Sequence, residues 1–239
     1  MIFIGPPFGN YISLPNTISI RGSYTLEPRP GLFKQIIKTL HYSSQHQGWI
    51  NKIGLRNPGI DYAIQHWKQN NQQEKTVIYS IAILDKKEVP ILVKKVPKSM
   101  DIELNVSCPN AEKHMVTEGL GRFICSDRTW CIVKLSPKAD KELIDGFYRE
   151  GFRQFHCSNT LPTKKGGLSG PALRPYTNNL VTYIKKKYPD TIVIAGGGIQ
   201  TMEDIENYRK IGADHFAMST VFFNPFRTFG LFYDFYTKK

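Results

Sequence analysis

The chain has 239 residues, 41% apolar and 22% charged, enough to bury the core of one ordinary domain and unlike the composition of a disordered chain. Its 32 Lys and Arg against 20 Asp and Glu give a formal net charge of +12, spread along the chain, so solvated basic faces account for it and a nucleic-acid partner is not required. No apolar run approaches the roughly 18 residues of a membrane-spanning helix. The cysteines (Cys108, Cys125, Cys131, Cys157) form no CxxC pair and no cluster with His, which excludes a disulfide framework and argues against a metal site.

Met1 to Gly9 lacks the charged and long apolar segments of a secretory signal, so the expectation is a cytoplasmic protein with free thiols. The first two predicted strands, Ile2–Ile4 and Thr17–Tyr24, are separated by only about a dozen residues, too few for a full helix. The stretch Asn51 to Gly59 is dense in amide and glycine and reads as a loop that hydrogen-bonds a planar polar ligand. Asp61–Gln69 is a predicted helix, with Ile60, Ile64 and Trp67 on one face. Thr76–Leu84 is the third strand.

The fourth strand, Asp101–Val106, runs into Ser107-Cys108-Pro109-Asn110. Alternation puts Glu103, Asn105 and Ser107 on one side and Leu104 and Val106 on the other. Cys108, at the strand end, is a candidate nucleophile or proton acceptor; the competing reading is a buried structural thiol. The stretch from Val106 to Cys131 is short for a loop plus a helix. In the fifth strand, Cys131–Leu135, Lys134 sits among apolar neighbours and is costly to bury unless paired with an acceptor or a ligand. It reads as a Schiff-base lysine or as a fixed cation beside an electron-rich ring.

Ala139–Arg149 is helical, with Leu143, Ile144 and Phe147 on one face. The sixth strand, Arg153–Ser158, leads to Asn159-Thr160 and then to Lys164-Lys165-Gly166-Gly167-Leu168-Ser169-Gly170, read as a flexible, basic, glycine-rich loop. A helix over Asn178–Tyr188 stops at Pro189. The seventh strand, Thr191–Ala195, ends in Gly196-Gly197-Gly198. Thr201, with Asp204 three residues on, resembles a capping box for a helix that Gly212 closes. The eighth strand, His215–Ser219, ends at Ser219-Thr220, and Pro225–Tyr236 reads as a last amphipathic helix.

Eight strands alternating with helices predict an α/β fold, a compact (β/α)8 TIM barrel with an abbreviated first unit and one domain over 1–239. An open doubly wound sheet is the alternative. Eight units share roughly 30 residues each. In such a barrel the strand ends carry function. Glycine-bearing loops after the sixth and seventh strands, with Ser219-Thr220 after the eighth, point to a phosphate-bearing ligand.

Taken together, the strings Thr25-Leu26-Glu27-Pro28-Arg29-Pro30-Gly31, Asn51 to Gly59, Glu103 to Asn110, Val133 to Pro137, Ser158-Asn159-Thr160, Gly166 to Gly170, Ala195 to Ile199 and Ser219-Thr220 resemble the dihydroorotate dehydrogenase family, in its soluble, cysteine-base form. The resemblance implies FMN as cofactor and oxidation of dihydroorotate to orotate in pyrimidine biosynthesis. By position it makes Cys108 the base, and it assigns Asn51, Asn57, Asn105, Asn110 and Asn159, with backbone groups of Ile53, Gly54 and Leu55, to the substrate. It assigns Ser23, Asn105, Lys134 and Thr160 to the flavin, and Gly166, Gly167, Gly197, Gly198, Ser219 and Thr220 to the FMN phosphate and its surroundings. It further implies a homodimer.

This chain departs from the family at Gly22, where a Lys that contacts flavin and substrate usually stands; at Gly5-Pro6-Pro7, in place of Ala-Ser-Gly; and at Ser219, in place of Gly. Arg21 is adjacent to the missing Lys but faces the other way on a strand, and Lys52 and Arg56 are the other nearby cations. Two further readings stay open. One is a related FMN oxidoreductase acting on another dihydropyrimidine, such as tRNA dihydrouridine. The other is a degenerate flavin-binding barrel without dehydrogenase activity.

Overall fold

A computed structural model describes residues 1–70, 77–107 and 115–237. Along the chain it contains β1 (Ile2–Ile4), β2 (Thr17–Tyr24), α1 (Leu32–Thr39), β3 (His41–Ser43), β4 (Gly48–Asn51), α2 (Ile60–Asn70), β5 (Val77–Ile81), α3 (Glu88–Lys95) and β6 (Ile102–Asn105). There follow β7 (Cys131–Leu135), α4 (Lys141–Arg149), β8 (Gln154–Cys157), β9 (Leu161–Thr163), β10 (Gly166–Ser169), α5 (Arg174–Lys187), β11 (Ile192–Gly196), α6 (Met202–Lys210), β12 (His215–Met218) and α7 (Pro225–Thr237).

Eight of the strands close a parallel barrel in the order β1-β12-β11-β8-β7-β6-β5-β2, and they are the eight expected from the sequence. The first unit is abbreviated as expected: a 3-10 turn, Phe8–Asn10, replaces its helix. Between β6 and β7 the described residues likewise hold only a 3-10 turn, Leu120–Phe123. No helix of the described residues is long and apolar enough to cross a membrane.

The interior follows from the two-residue period of a strand. Ile20, Ile78, Ile132 and Ile194 join Phe3, Ile18, Trp130 and Ala217 in one buried apolar cluster, the floor of the barrel. Two residues further along the same strands stand Gly22, Ser80, Lys134 and Gly196. The inward face thus changes from branched aliphatic to polar or bare toward the C-terminal mouth.

A second sheet, β3-β4-β10-β9, is antiparallel and is additional to the strands expected from the sequence. Its hairpins are inserted after β2 and after β8, in βα connections, so it lies on the mouth side. The Gly166–Gly170 stretch is therefore not the flexible loop expected. It forms β10, with Gly167 opposite Asn51 and Leu168 opposite Ile50. Gly166 can take that place because it lacks a Cβ, which would collide with the Asn51 carbonyl. Aromatic packing ties the small sheet to the rim: Trp49 stacks on Phe223 at 4.2 Å between centroids, and Phe8 meets Phe223 edge-on at 4.8 Å.

The helices begin and end for local reasons. Asp140 caps α4 by accepting from the Leu143 N–H, and Thr201 and Asp204 form the expected capping box on α6. α5 starts at Arg174, four residues before the expected start, because Pro175 falls in the first turn, where its missing N–H costs nothing. Helices α1 and α3 are additions to the expected set.

Candidate active site

Four consecutive barrel strands place a polar side chain inward and in mutual reach. Ser80 on β5 and Glu103 on β6 are fully buried, His156 on β8 is 3% exposed, and the Lys134 side chain on β7 is 12% exposed. Ser80 Oγ donates to Glu103 Oε1 at 2.8 Å, His156 Nδ1 lies 2.6 Å from Glu103 Oε2, and Lys134 Nζ lies 3.6 Å from Oε1. Burial resists ionisation of Glu103, yet Lys134 and the His156 contact outweigh it and hold the carboxyl down at about 2. Burial, reinforced by the Lys134 charge and only partly offset by Glu103, pushes the His156 pKa below its ordinary value. Against an ionised acceptor the Nδ1 of a neutral imidazole must carry the proton, so His156 donates.

A second tier of hydrogen bonds sits above. Asn105 Nδ2 donates to Ser23 Oγ at 2.8 Å, and Ser23 Oγ lies 2.8 Å from Ser80 Oγ. Because the Ser80 proton is directed at Glu103, Ser23 is the donor to Ser80. Asn159 Nδ2 donates to Asn105 Oδ1 at 2.9 Å and to Ser107 Oγ at 3.2 Å, and Ser107 Oγ donates to the Lys134 carbonyl at 3.0 Å. Ser23, Asn105, Lys134 and Asn159, all singled out from sequence, therefore belong to one connected network. Thr160 follows directly, its N–H held by Asn159 Oδ1 at 2.8 Å.

Asn57 stands apart from that network. Its Oδ1 accepts from the N–H groups of Thr25 and Gly59, and its Nδ2 donates to Thr25 Oγ1 and the Leu55 carbonyl. The amide is thus fully committed within the protein, and it shapes the loop carrying Ile53, Gly54 and Leu55. That loop is pinned to the Thr25–Gly31 string by reciprocal backbone bonds between Arg29 and Asn57, at 2.8 and 2.9 Å. Asn51 turns its Oδ1 to the Ile53 N–H at 3.3 Å.

At the opposite side of the mouth, three successive carbonyls are held from behind. Gly196 O accepts from Thr177 Oγ1 at 2.8 Å, Gly197 O from the Tyr208 hydroxyl at 2.7 Å, and Gly198 O from the Arg174 guanidinium at 2.8 and 3.0 Å. The start of α6 is not an open anion site. Asp204 Oδ2 takes the N–H groups of Gln200 and Thr201, and Arg174 pairs with Asp204 at 2.8 Å. Ser219 Oγ donates to the Pro6 carbonyl at 2.9 Å, so two of the departures from the family pattern contact each other. Thr220 opens a 3-10 turn beside it.

The cations near the missing Lys are placed as follows. Arg21 lies opposite Tyr79 on β5, with its charge beside Tyr24, Tyr79 and His66, on the outer face of the barrel. Lys52 is exposed, and Arg56 Nη1 reaches the Pro30 carbonyl at 3.4 Å. Cys108 and Asn110 lie outside the described residues, on the segment after Ser107. Of the described thiols, burial pushes Cys131 up to about 12 and raises Cys157 as well, so neither is a ready thiolate. His156 was not recognised from sequence as a site residue; within a buried Phe155-His156-Cys157 strand only its inward parity marks it.

A sequence model of the family described as dihydroorotate dehydrogenase matches residues 11–124 and 149–229. The catalytic subunit of dihydroorotate dehydrogenase B (NAD(+)) from Staphylococcus carnosus is 30% identical, over 79% of this chain and 71% of its own. The same subunit from Thermotoga petrophila is 28% identical over 93% and 90%. Among solved structures, a ligand-free DHODH from Eimeria tenella superposes with a TM-score of 0.73 at 18% identity, over 96% of this chain and 81% of its own. The ferulenol complex of DHODH from the same organism gives 0.70 at 18%, over 89% and 73%. At that identity the structural likeness speaks to the fold.

Proposed function

The chain belongs to the dihydroorotate dehydrogenase family, an oxidoreductase family, and from that premise we propose that it binds FMN at the barrel mouth and oxidises dihydroorotate to orotate with Cys108 as the base. The observation that carries this reading is the inward polar set Ser80, Glu103, Lys134 and His156, roofed by Ser23, Asn105 and Asn159. A mouth with a mostly buried ammonium and a row of amides fits a planar ring that has acceptors along one edge and gains negative charge on reduction.

Bound there, FMN supplies the hydride acceptor. Lys134 would face the bound ring and would stabilise negative charge gained there. Ser23, Asn105 and Thr160 orient it. The turn Gly197-Gly198, its carbonyls tied back to Tyr208 and Arg174, leaves its N–H edge for the phosphate, together with Ser219-Thr220 and with Gly166-Gly167 of β10. Asn51, Asn105, Asn110 and Asn159 hold the substrate ring, with backbone groups of Ile53, Gly54 and Leu55. Asn57 holds the loop that carries them. Cys108 would take one ring proton and FMN would supply the acceptor for the hydride, so that substrate, losing one proton and one hydride, becomes orotate.

The test is FMN titration of flavin-free protein by fluorescence quenching, together with turnover of wild type, Cys108→Ala and Lys134→Met. The reading expects stoichiometric FMN uptake, weakened in K134M, and turnover in C108A lowered at least 100-fold. Undiminished turnover in C108A overturns the assignment of the base; no FMN uptake by wild type overturns the reading.

A further inference from the structure

The mouth contains a carboxylate for which the proposed reaction has no direct use. Glu103 touches neither rim nor solvent, and a buried carboxylate is costly unless a cation and hydrogen-bond donors compensate it. The compensating cation is Lys134. At 3.6 Å the contact is an ion pair longer than a hydrogen bond, so the ammonium stays available to a second acceptor above it. A lysine ammonium on four methylenes is poorly fixed by its own stem. The carboxylate that attracts it is fixed on both oxygens, by Ser80 on one and His156 on the other. His156 is itself wedged, because its Nε2 lies where a Cβ on Gly196 would approach to 2.7 Å. These contacts span four adjacent strands, and on β5 and β7 isoleucine fills the inward position two residues below. The polar tier is thus a built feature of the mouth and not filler.

We propose that Glu103, clamped by Ser80 and His156, is the positioning residue of Lys134, and that by tethering this cation it tempers how strongly the mouth favours reduced over oxidised FMN. The inference rests on the flavin reading of the site. A cation shared with a carboxylate is pulled less fully toward a ring that turns negative on reduction; a cation released from it goes to the ring.

The experiment is a double-mutant cycle on Glu103→Gln and Lys134→Met, read as the relative affinity for reduced and oxidised FMN. The expected result is that E103Q raises the preference for reduced FMN at least tenfold, which is about 30 mV in a two-electron potential, while in the K134M background the same change has less than a twofold effect. An equal effect in both backgrounds means that Glu103 acts on the ring directly, and no effect in either means that it does not act; each overturns the proposal. A second arm needs no flavin. K134M alone leaves Glu103 without its cation and lowers the denaturation midpoint, and adding E103Q restores most of the loss. If the double variant is no more stable than K134M, the tether is absent. Should wild type take up no FMN, the flavin reading fails on its own, while the stability cycle still decides whether Glu103 holds Lys134.

Discussion

The backbone N–H of Gly22 donates to Asn10 Oδ1 at 2.9 Å, which joins the end of β2 to the 3-10 turn standing in for the first helix. Gly22 has φ +114°, and a Cβ there would lie 2.6 Å from the Ser80 carbonyl. The position at which the family resemblance leads one to expect a lysine is therefore closed to any side chain. Gly22 is thus bonded to the shortened first unit, and among the described residues Lys134 places a cation inside the mouth.

Restoring the lysine by Gly22→Lys should therefore lower stability and leave flavin uptake no better. Backbone strain alone accounts for about 1–3 kcal/mol, read from the denaturant midpoint. An unchanged midpoint would contradict the geometry at Gly22.

Gly196→Ala should destabilise by about 1–3 kcal/mol, the usual range for overpacking. The new methyl would meet His156 Nε2 at 2.7 Å and the Ala217 Cβ at 3.3 Å. Shrinking the ring in the same chain, G196A with His156→Ala, should cost less than the two single losses added together. Thermal melts of the four proteins check this, and strict additivity would count against the wedge.

Acid should weaken the fold in two stages. The His156 pKa is lowered by burial and by Lys134, so below about 6.5 the unfolded chain takes a proton that the folded chain refuses. Stability is therefore full above that pH and lost as pH falls below it. His66 and His215 are lowered too and act with the same sign. Glu103 adds a second loss, which begins below about 4.3 and runs toward its folded value of about 2. His156→Asn keeps a donor for Glu103 but does not titrate, so its midpoint should vary less between pH 5 and 7, by at most about 1.4 kcal/mol per pH unit. Parallel pH profiles for the two proteins would contradict this assignment.

Asn57→Ala should cost about 1–3 kcal/mol through the buried donors and acceptors it orphans, because all four of its hydrogen bonds are internal. Denaturant unfolding measures the loss. A variant as stable as wild type would show that the loop does not depend on this amide.

The barrel strands were legible because each is a short β-branched or aromatic run ended by Gly, Pro, Asn or Ser; alternation sets Glu103 on one face with Asn105 and Ser107, and Lys134 stands out as a charge among apolar neighbours. The small sheet was not legible. Its strands are three or four residues long, β9 contains Pro162, and β10 begins with two glycines, so neither alternation nor β propensity marks them; pairing across more than 100 residues creates them. Helix α1 carries Leu32, Phe33, Ile36 and Ile37 on one face at helical spacing, but it buries none of its residues and Gly31 gives it no side-chain cap, so it lacks a start signal. Helix α3 carries Pro90 in its first turn, which reads as a breaker. His156 is not legible in the sequence because its partner is 53 residues away on β6, and nothing local distinguishes it from a satisfied core histidine.

The most direct measurement is the visible spectrum of the FMN-loaded protein, recorded anaerobically before and after addition of dihydroorotate. The account predicts that the oxidised-flavin band bleaches with one orotate formed per flavin, and that bleaching slows sharply in Cys108→Ala. A protein that binds FMN but keeps its band unchanged in excess dihydroorotate would contradict it.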